Sequence, residues 1–417
     1  MIMSDGLIWE SNCSKRKGEE GILMLKQKTK FLSALALSAV MAASLLTGCG
    51  GGAKEPAKPA VQAPIKLGVI GPYTGPNAKP GQSMKQGVNL AVEEINKAGG
   101  VKGRKLEVLF EDDASVPAQS VSATEKLINK DEVSFLIGTF NSATTLADMK
   151  IIERDKTPML VPIAVAIEIT ESGNKWVFRN SATNPMQAEQ LMNYIYKETK
   201  LRKFAVLHEN TDYGKGLMVA VESYVKKNGG SMVAEAYSIG DTDFYAQLTK
   251  IKNNAPEAII ICGNLSEGSQ ITRQFKELGL KAQLFGFGGL SSFDFNNVAA
   301  GSNEGLIATS YFENASPNPL AQNFIKAYKA KFNVDPDMFA AAIYESVYIA
   351  KDAIEKMGDT KDIAAFRVAL RDQLAKTKDL AGVQGPTTFD PKGQADKQVM
   401  IIQWEKGQKK ILYPKAK

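Results

Sequence analysis

The chain has 417 residues, 51 Lys+Arg against 45 Asp+Glu, a formal net charge of +6 and 44% hydrophobic residues. That balance excludes a disordered chain, a collagen-like chain and a polytopic membrane protein. A charge of +6 spread over 417 residues is also no concentrated footprint for nucleic-acid phosphates. Single hydrophobic cores stop growing near ~250–300 residues, so two folded domains are expected.

The amino terminus carries an address. Lys26, Lys28 and Lys30 precede an apolar stretch from Phe31 to Leu46, which ends in Leu46-Thr47-Gly48-Cys49. A short basic segment, an apolar run short for a membrane span and small residues before a cleavage point describe a secretory signal peptide. Leu-x-Gly-Cys resembles a bacterial lipobox, in which Cys49 takes the lipid and becomes the first mature residue. The alternative is an uncleaved anchor helix with an incidental cysteine. Residues 1–23 are polar and sit poorly before such a leader, which suggests a mis-assigned start with translation beginning at Met24. Residues 24–48 are then the signal peptide and 49–64 a Gly/Ala/Pro-rich tether. Cys262, alone in an apolar run, reads as a small buried hydrophobe and no intrachain disulfide is implied.

From Ile65 the pattern becomes regular. KLGVIG (66–71) reads as a strand, and Met84, Val88, Ala91, Val92 and Ile95 then recur at helical spacing up to Gly99-Gly100. KLEVLFED (105–112), VSFLIG (133–138) and PMLVP (158–162) read as further strands, with helices near 117–129 and 142–154 between them. The alternation restarts after Pro185: a helix over 186–199, the strand FAVLHE (204–209), a helix near 213–228, MVAEAYS and a helix near 243–253. AIIICG (258–263) is the clearest buried strand; a helix at 267–278, LFGFG and GLIATS (305–310) follow. Helices are expected over about 319–332, 338–357 and 362–375, and VMIIQW (399–404) and KILYP (410–414) read as closing strands. Apolar strands separated by short helices suit two mostly parallel α/β sheets, with a crevice at the strand carboxyl ends.

The order of these segments resembles the branched-chain amino acid receptor family of ABC importers, within the type I periplasmic binding proteins. The matching pieces are IKLGVIGPYTGPNAKPGQSMKQGVNLAVEEINKAGGVKGRKLEVLFEDD, LIGTFNSATT, HENTDYGKG, DTDFYAQLTKIKNNAPEAIIICG and GPTTFDPKGQ, spread over nearly all of 65–413. The resemblance implies two lobes joined by three crossings with ligand held between them. Lobe one would take 65–182 plus 312–384, and lobe two 183–311 plus 385–417. It implies a monomeric, lipid-anchored receptor on the outer face of the cytoplasmic membrane (or the periplasmic side of a two-membrane envelope). Such a receptor delivers a small organic solute, a branched-chain amino acid or an aromatic or aliphatic carboxylate or amide, to an ABC permease, without catalysis, cofactor or metal.

In LIGTFNSATT the strand ends at Gly138, and Asn141 or Ser142 can cap the next helix; free N–H groups there form a small anion-binding surface. By the resemblance, Ser142 helps hold a ligand carboxylate, and Tyr213 keeps a family contact. At the opposite end the chain departs from the family. Ile163, Ala164 and Val165 stand where a small-small-Thr segment is usual, Gly288 stands where a glutamate pairs with the ligand amine, and Leu265 replaces an aromatic residue. A desolvated ammonium without a carboxylate costs several kcal/mol. The amine therefore has no evident counter-charge unless Glu267 or Asp294 supplies it. Tyr73, in GPYTG, is a further candidate for ligand contact, and Phe140, Phe287 and Phe293 could form an apolar wall. His208 reads as structural, and Asp112-Asp113 as a cap or solvated loop rather than a metal site.

Two other functions remain open from the residues. A sensory binding protein docking a signalling receptor would use the same site chemistry. A surface hydrolase built from Ser142, His208 and an aspartate would lack the G-x-S-x-G elbow. The targeting signal gives the first prediction: Cys49→Ser abolishes incorporation of a palmitate analogue and releases the folded domain, while initiation at Met24 changes neither. Label that persists in the variant refutes the assignment.

Overall fold

The computed structural model describes residues 63–414. Cys13, the leader, Cys49 and all but the end of the tether lie outside the described residues. The first half of the folded chain alternates β1 (Ile65–Gly71), α1 (Ala78–Lys97), β2 (Leu106–Asp112), α2 (Pro117–Glu125), β3 (Phe135–Ile137), α3 (Ser142–Arg154), β4 (Met159–Val161), α4 (Glu168–Glu171) and β5 (Val177–Arg179). These five strands form one parallel sheet in the order β2-β1-β3-β4-β5. The chain then builds α5 (Asn184–Glu198), β6 (Lys203–Glu209), α6 (Asp212–Asn228), β7 (Ser231–Tyr237), α7 (Tyr245–Asn253), β8 (Ala258–Cys262), α8 (Leu265–Glu277), β9 (Gln283–Gly286), α9 (Phe293–Ala299) and β10 (Ile307–Ser310). It returns to the first sheet with α10 (Pro319–Phe332), α11 (Met338–Lys356) and α12 (Ile363–Leu374), and closes the second sheet with β11 (Met400–Glu405) and β12 (Gln408–Tyr413). The second sheet runs β12-β11-β10-β9-β8-β6-β7, parallel except for the antiparallel closing hairpin.

The unbroken apolar runs follow from burial on both faces. In β6, Ala205 and Leu207 join the core under α7 and α8, while Phe204 and Val206 face α5 and α6. In β8, Ile259 and Ile261 go one way, and Ala258, Ile260 and Cys262 the other. A strand with a wet face would have had to alternate with polar residues. Cys262 is fully buried, which pushes its thiol well above the ordinary range.

Lobe one depends on a late return of the chain. Met84, Val88, Ala91 and Ile95 of α1 are buried and share a core with Phe339, Ile343, Val347 and Ala350 of α11. The two helices approach so closely that a Cβ on Gly87 would lie 2.4 Å from the Ala340 carbonyl oxygen, so only glycine fits. Asp337 starts α11 by accepting the Ala340 N–H at 2.8 Å, and its second oxygen accepts from Ser83 of α1.

Chain crossings between the lobes follow β5, β10 and the segment before β11. The segment from 385 stays with lobe one longer than the sequence predicts. Phe389 and Ala395 sit in the lobe-one core, and Lys397 forms a buried ion pair with Glu345 of α11 at 2.5 Å. Glu345 also accepts from Thr387 Oγ1 and from the Gln384 N–H, so its carboxylate organises the whole approach to the third crossing. The lobe-one share of the chain therefore runs beyond residue 384. Short elements escaped the sequence reading: β5 has three residues and α4 four, too few for a period to show. Removing one member of a buried pair leaves the other uncompensated. Lys397→Met is expected to lower the unfolding free energy by about 3–5 kcal/mol, measured by urea denaturation; a change below about 1 kcal/mol would show the pair to be dispensable.

Candidate functional site

In both sheets the strand order reverses beside the first strand of the unit, and the loops at the carboxyl ends face each other. Between them lies a cavity of about 380 Å³ including its mouth. Lobe one contributes Phe140, Asn141 and Ser142 after β3, Ile163, Ala164 and Val165 after β4, and Met338 and Phe339 from the start of α11. Lobe two and the crossings contribute Gln187, Tyr213, Asn264, Gly288, Gly289 and Tyr311. Eight of the residues singled out in the sequence thus meet in one place: Phe140, Asn141, Ser142, Ile163, Ala164, Val165, Tyr213 and Gly288.

Two others fall outside this lining. Tyr73 packs edge-on against Phe110 with Lys85 over its ring, and its N–H donates to Asp112. Asp112 also accepts from Thr74 and the Ala114 N–H, so it organises the turn that carries Tyr73 away from the cavity. Leu265 opens α8 with its side chain in the core of lobe two. Of the proposed wall, Phe140 lines the cavity, and Phe287 is buried under α5 and α6. Phe293 lies over Trp404.

Neither acid considered as a replacement counter-charge lines the cavity. Glu267 is buried, and its Oε1 accepts the Gly240 N–H at 2.8 Å. Asp294 lines a separate recess with Lys79, Ser83 and Asp337. At position 288 the space beside the backbone is already filled. A Cβ there would lie 2.7 Å from Met338 Cε and 3.4 Å from a Tyr311 ring carbon. A thioether and a phenol ring occupy the place where the family resemblance puts a carboxylate. Among the described residues that line the cavity, none carries a formal charge.

Ser142 has a defined polarity. Its Oγ accepts the N–H of Val165 at 3.3 Å and of Ala166 at 3.1 Å, which uses both lone pairs and leaves the O–H as a donor. The hydroxyl therefore joins the start of α3 to the loop after β4. No side chain caps α3, and Asn141 Oδ1 is buried without a partner, so the first-turn N–H groups remain for an anion. This differs from the capping role that the sequence suggested for Asn141 or Ser142. No histidine touches Ser142: His208 Nδ1 donates to the carbonyl of Glu209 in lobe two, so the constellation of a hydrolase is not assembled.

Asn264, Gln187, Tyr311, Met338 and Phe339 were missed in the sequence. Met338 and Phe339 arrive only through the late return of α11, which no local pattern announces. Behind Asn264 stands Glu209, at the end of β6. Its Oε2 accepts from Asn264 Nδ2 at 3.0 Å and its Oε1 from Thr211 Oγ1 at 2.9 Å. Thr211 in turn caps α6, which carries Tyr213. One buried carboxyl thus sets two lobe-two residues of the site, and with Nδ2 engaged, Asn264 Oδ1 stands beside Gly289 as an acceptor.

A family profile described as periplasmic binding protein matches residues 64–409. The chain is 34% identical over 350 residues to Leu/Ile/Val-binding protein homolog 3 of Brucella melitensis, covering 84% of this chain and 93% of the relative. It is 30% identical over 330 residues to the Leu/Ile/Val-binding protein of Escherichia coli K12, covering 79% and 87%. Among solved structures, the substrate-binding protein of a Streptococcus pneumoniae branched-chain amino acid transporter, in complex with isoleucine, superposes with a TM-score of 0.77. That match has 30% identity and covers 84% of this chain and all of the other. A leucine-binding protein from Thermotoga maritima gives 0.78 at 28% identity, covering 83% and 97%. Fold and site together define a type I periplasmic binding protein, a non-catalytic receptor that holds a small solute between two lobes. The chain belongs to the branched-chain amino acid (Leu/Ile/Val) binding protein family, the substrate-binding components of ABC importers, and it works outside the cytoplasm.

Burial raises the carboxyl of Glu209 from 4.5 to about 7, with Glu267 adding to the rise. Burial likewise raises Asp148 to about 7 and Asp113 to about 6 in lobe one. The folded chain therefore holds these protons more tightly than the unfolded chain. The stabilisation is complete below the unfolded values near 4 and is lost as pH rises through 6 to 7. Glu209→Gln is expected to flatten part of the stability loss between pH 4.5 and about 7, by on the order of 2 kcal/mol. Thermal unfolding across that range checks it, and an unchanged slope refutes it. Ser142→Ala leaves two buried N–H groups unpaired and is expected to cost about 1–3 kcal/mol of stability, read from the same melts.

Proposed function

We propose that the cleft takes a small monocarboxylate with an apolar body and no α-amine, and that the receptor is tethered through lipid on Cys49 while it delivers this solute to its permease. The observation that carries the reading is the absence of any formal charge among the described residues of the cavity lining, together with the filling of position 288's surroundings by Met338 and Tyr311. A carboxylate finds a hydroxyl donor at Ser142 and the open first turn of α3. An ammonium finds at best a neutral oxygen, and closure of the lobes would remove its water without returning a charge. Phe140, Ile163, Val165, Met338 and Phe339 suit a branched or aromatic body.

A second reading is supported by the names of the relatives and by Glu209. A branched-chain amino acid could place its amine at Asn264 Oδ1, with the Glu209 carboxyl one hydrogen bond behind. Titration calorimetry with leucine, isoleucine and valine against 4-methylpentanoate and phenylacetate separates the two. The des-amino acids are expected to bind tighter by about 2–4 kcal/mol, the cost of an unmade buried charged hydrogen bond. Micromolar or tighter binding of leucine, lost in Glu209→Gln, would overturn the proposal in favour of the second reading.

A further inference from the structure

The most anomalous charge near the cleft is Arg179, at the end of β5. It is wholly buried, with 0% of its surface exposed. Its guanidinium donates to three neutral oxygens: the Ala166 carbonyl, Thr170 Oγ1 at 2.8 Å and Gln394 Oε1 at 2.6 Å. The acids whose attraction reaches it, Glu168, Glu171 and Asp390, form no ion pair with it among the described residues, and Glu171 is engaged by Lys392. A buried cation without a counter-ion costs several kcal/mol, and a purely structural tie could be made more cheaply by a neutral side chain. Burial lowers the guanidinium only to about 10, so it stays charged at neutral pH.

Its surroundings connect it to the site on two sides. Ala166, whose carbonyl it holds, donates its own N–H to Ser142 Oγ, and the preceding Val165 lines the cavity. Tyr311, another lining residue, lies within the field of the guanidinium. The positive charge is therefore one residue behind the wall that carries the Ser142 donor, in a low-dielectric region where it is weakly screened.

We propose that Arg179 is the positioning residue that makes the cleft selective for an anionic ligand: its uncompensated charge favours a carboxylate at Ser142 over an isosteric neutral group. The inference deepens the reading given above and rests on a carboxylate occupying the start of α3. Unlike that reading, it makes no demand on the amine.

The test compares 4-methylpentanoate with 4-methylpentanamide, and leucine with leucinamide, by calorimetry on the full domain. Wild type is expected to prefer the acid of the bound pair by about tenfold or more. Arg179→Gln is expected to remove that preference while binding of the amide changes little, and Arg179→Lys is expected to restore it. Thr170→Asp sets a carboxylate against the guanidinium and should cancel the preference with Arg179 still in place, which covers the case in which Arg179→Gln does not fold. Equal losses for acid and amide would reduce Arg179 to a clamp between chain segments, and a wild type indifferent to the acid would overturn the inference outright. If leucine binds and 4-methylpentanoate does not, the des-amino reading fails, and the leucine pair still decides the role of Arg179.

Discussion

The structure turns on a guanidinium held where three distant stretches of chain converge. Arg179 belongs to the strand that leaves lobe one, Ala166 and Thr170 to the segment directly behind the cleft wall at Val165, and Gln394 to the last passage towards lobe two. Backbone bonds reinforce the meeting point: the Arg179 N–H donates to the Gly393 carbonyl and the Ala395 N–H to the Arg179 carbonyl. Gln394 completes it by donating to the Ser181 carbonyl. Two of the three connections between the lobes are thus fixed to each other and to the binding wall by the same side chain. Motion of one lobe against the other must be absorbed just beyond this node, where the segments are no longer cross-linked.

The cleft itself is built by a division of labour between lobes. Lobe one supplies a helix start and an oriented hydroxyl, both donors. Lobe two supplies an oriented amide oxygen at Asn264, held by Glu209 from behind. Ionisable groups stay one layer back on each side, Arg179 behind the donors and the Glu209 carboxyl behind the acceptor. Such an arrangement gives the ligand a direction while sparing the open cleft the cost of desolvating its own ions on closure.

Much of this was legible in the chain. Long, strongly periodic elements such as α1, α11 and β8 showed their type and nearly their ends, because burial on one or both faces dictates the residue pattern. The loops after β3 and β4 were recognisable because strand ends in a parallel sheet converge on one edge. What stayed hidden depended on long-range return of the chain. Met338 and Phe339 reach the cleft from more than 170 positions beyond Val165, and nothing near them in sequence marks them. Tyr73 was misplaced for a related reason: its strand ends at the right edge, and the Asp112-centred turn directs it elsewhere. Asn264 and Glu209 were passed over because each is informative only beside the other.

The late arrival of α11 also bears on how the protein can be made. The core of lobe one joins α1 to a helix that follows nine strands and nine helices later, with the whole second sheet except its closing hairpin in between. Neither lobe is a continuous piece of chain, and the two faces of the lobe-one sheet close at different times: the core on one face lies wholly within residues 70–177, while the core on the α1 face waits for α11. Until synthesis reaches the end of α11 at Lys356, the surface of α1 around Gly87 has nothing to cover it. Part of lobe one therefore stays unfinished until late in synthesis, and α1 carries an uncovered apolar face for as long as its partner helix is still to be made.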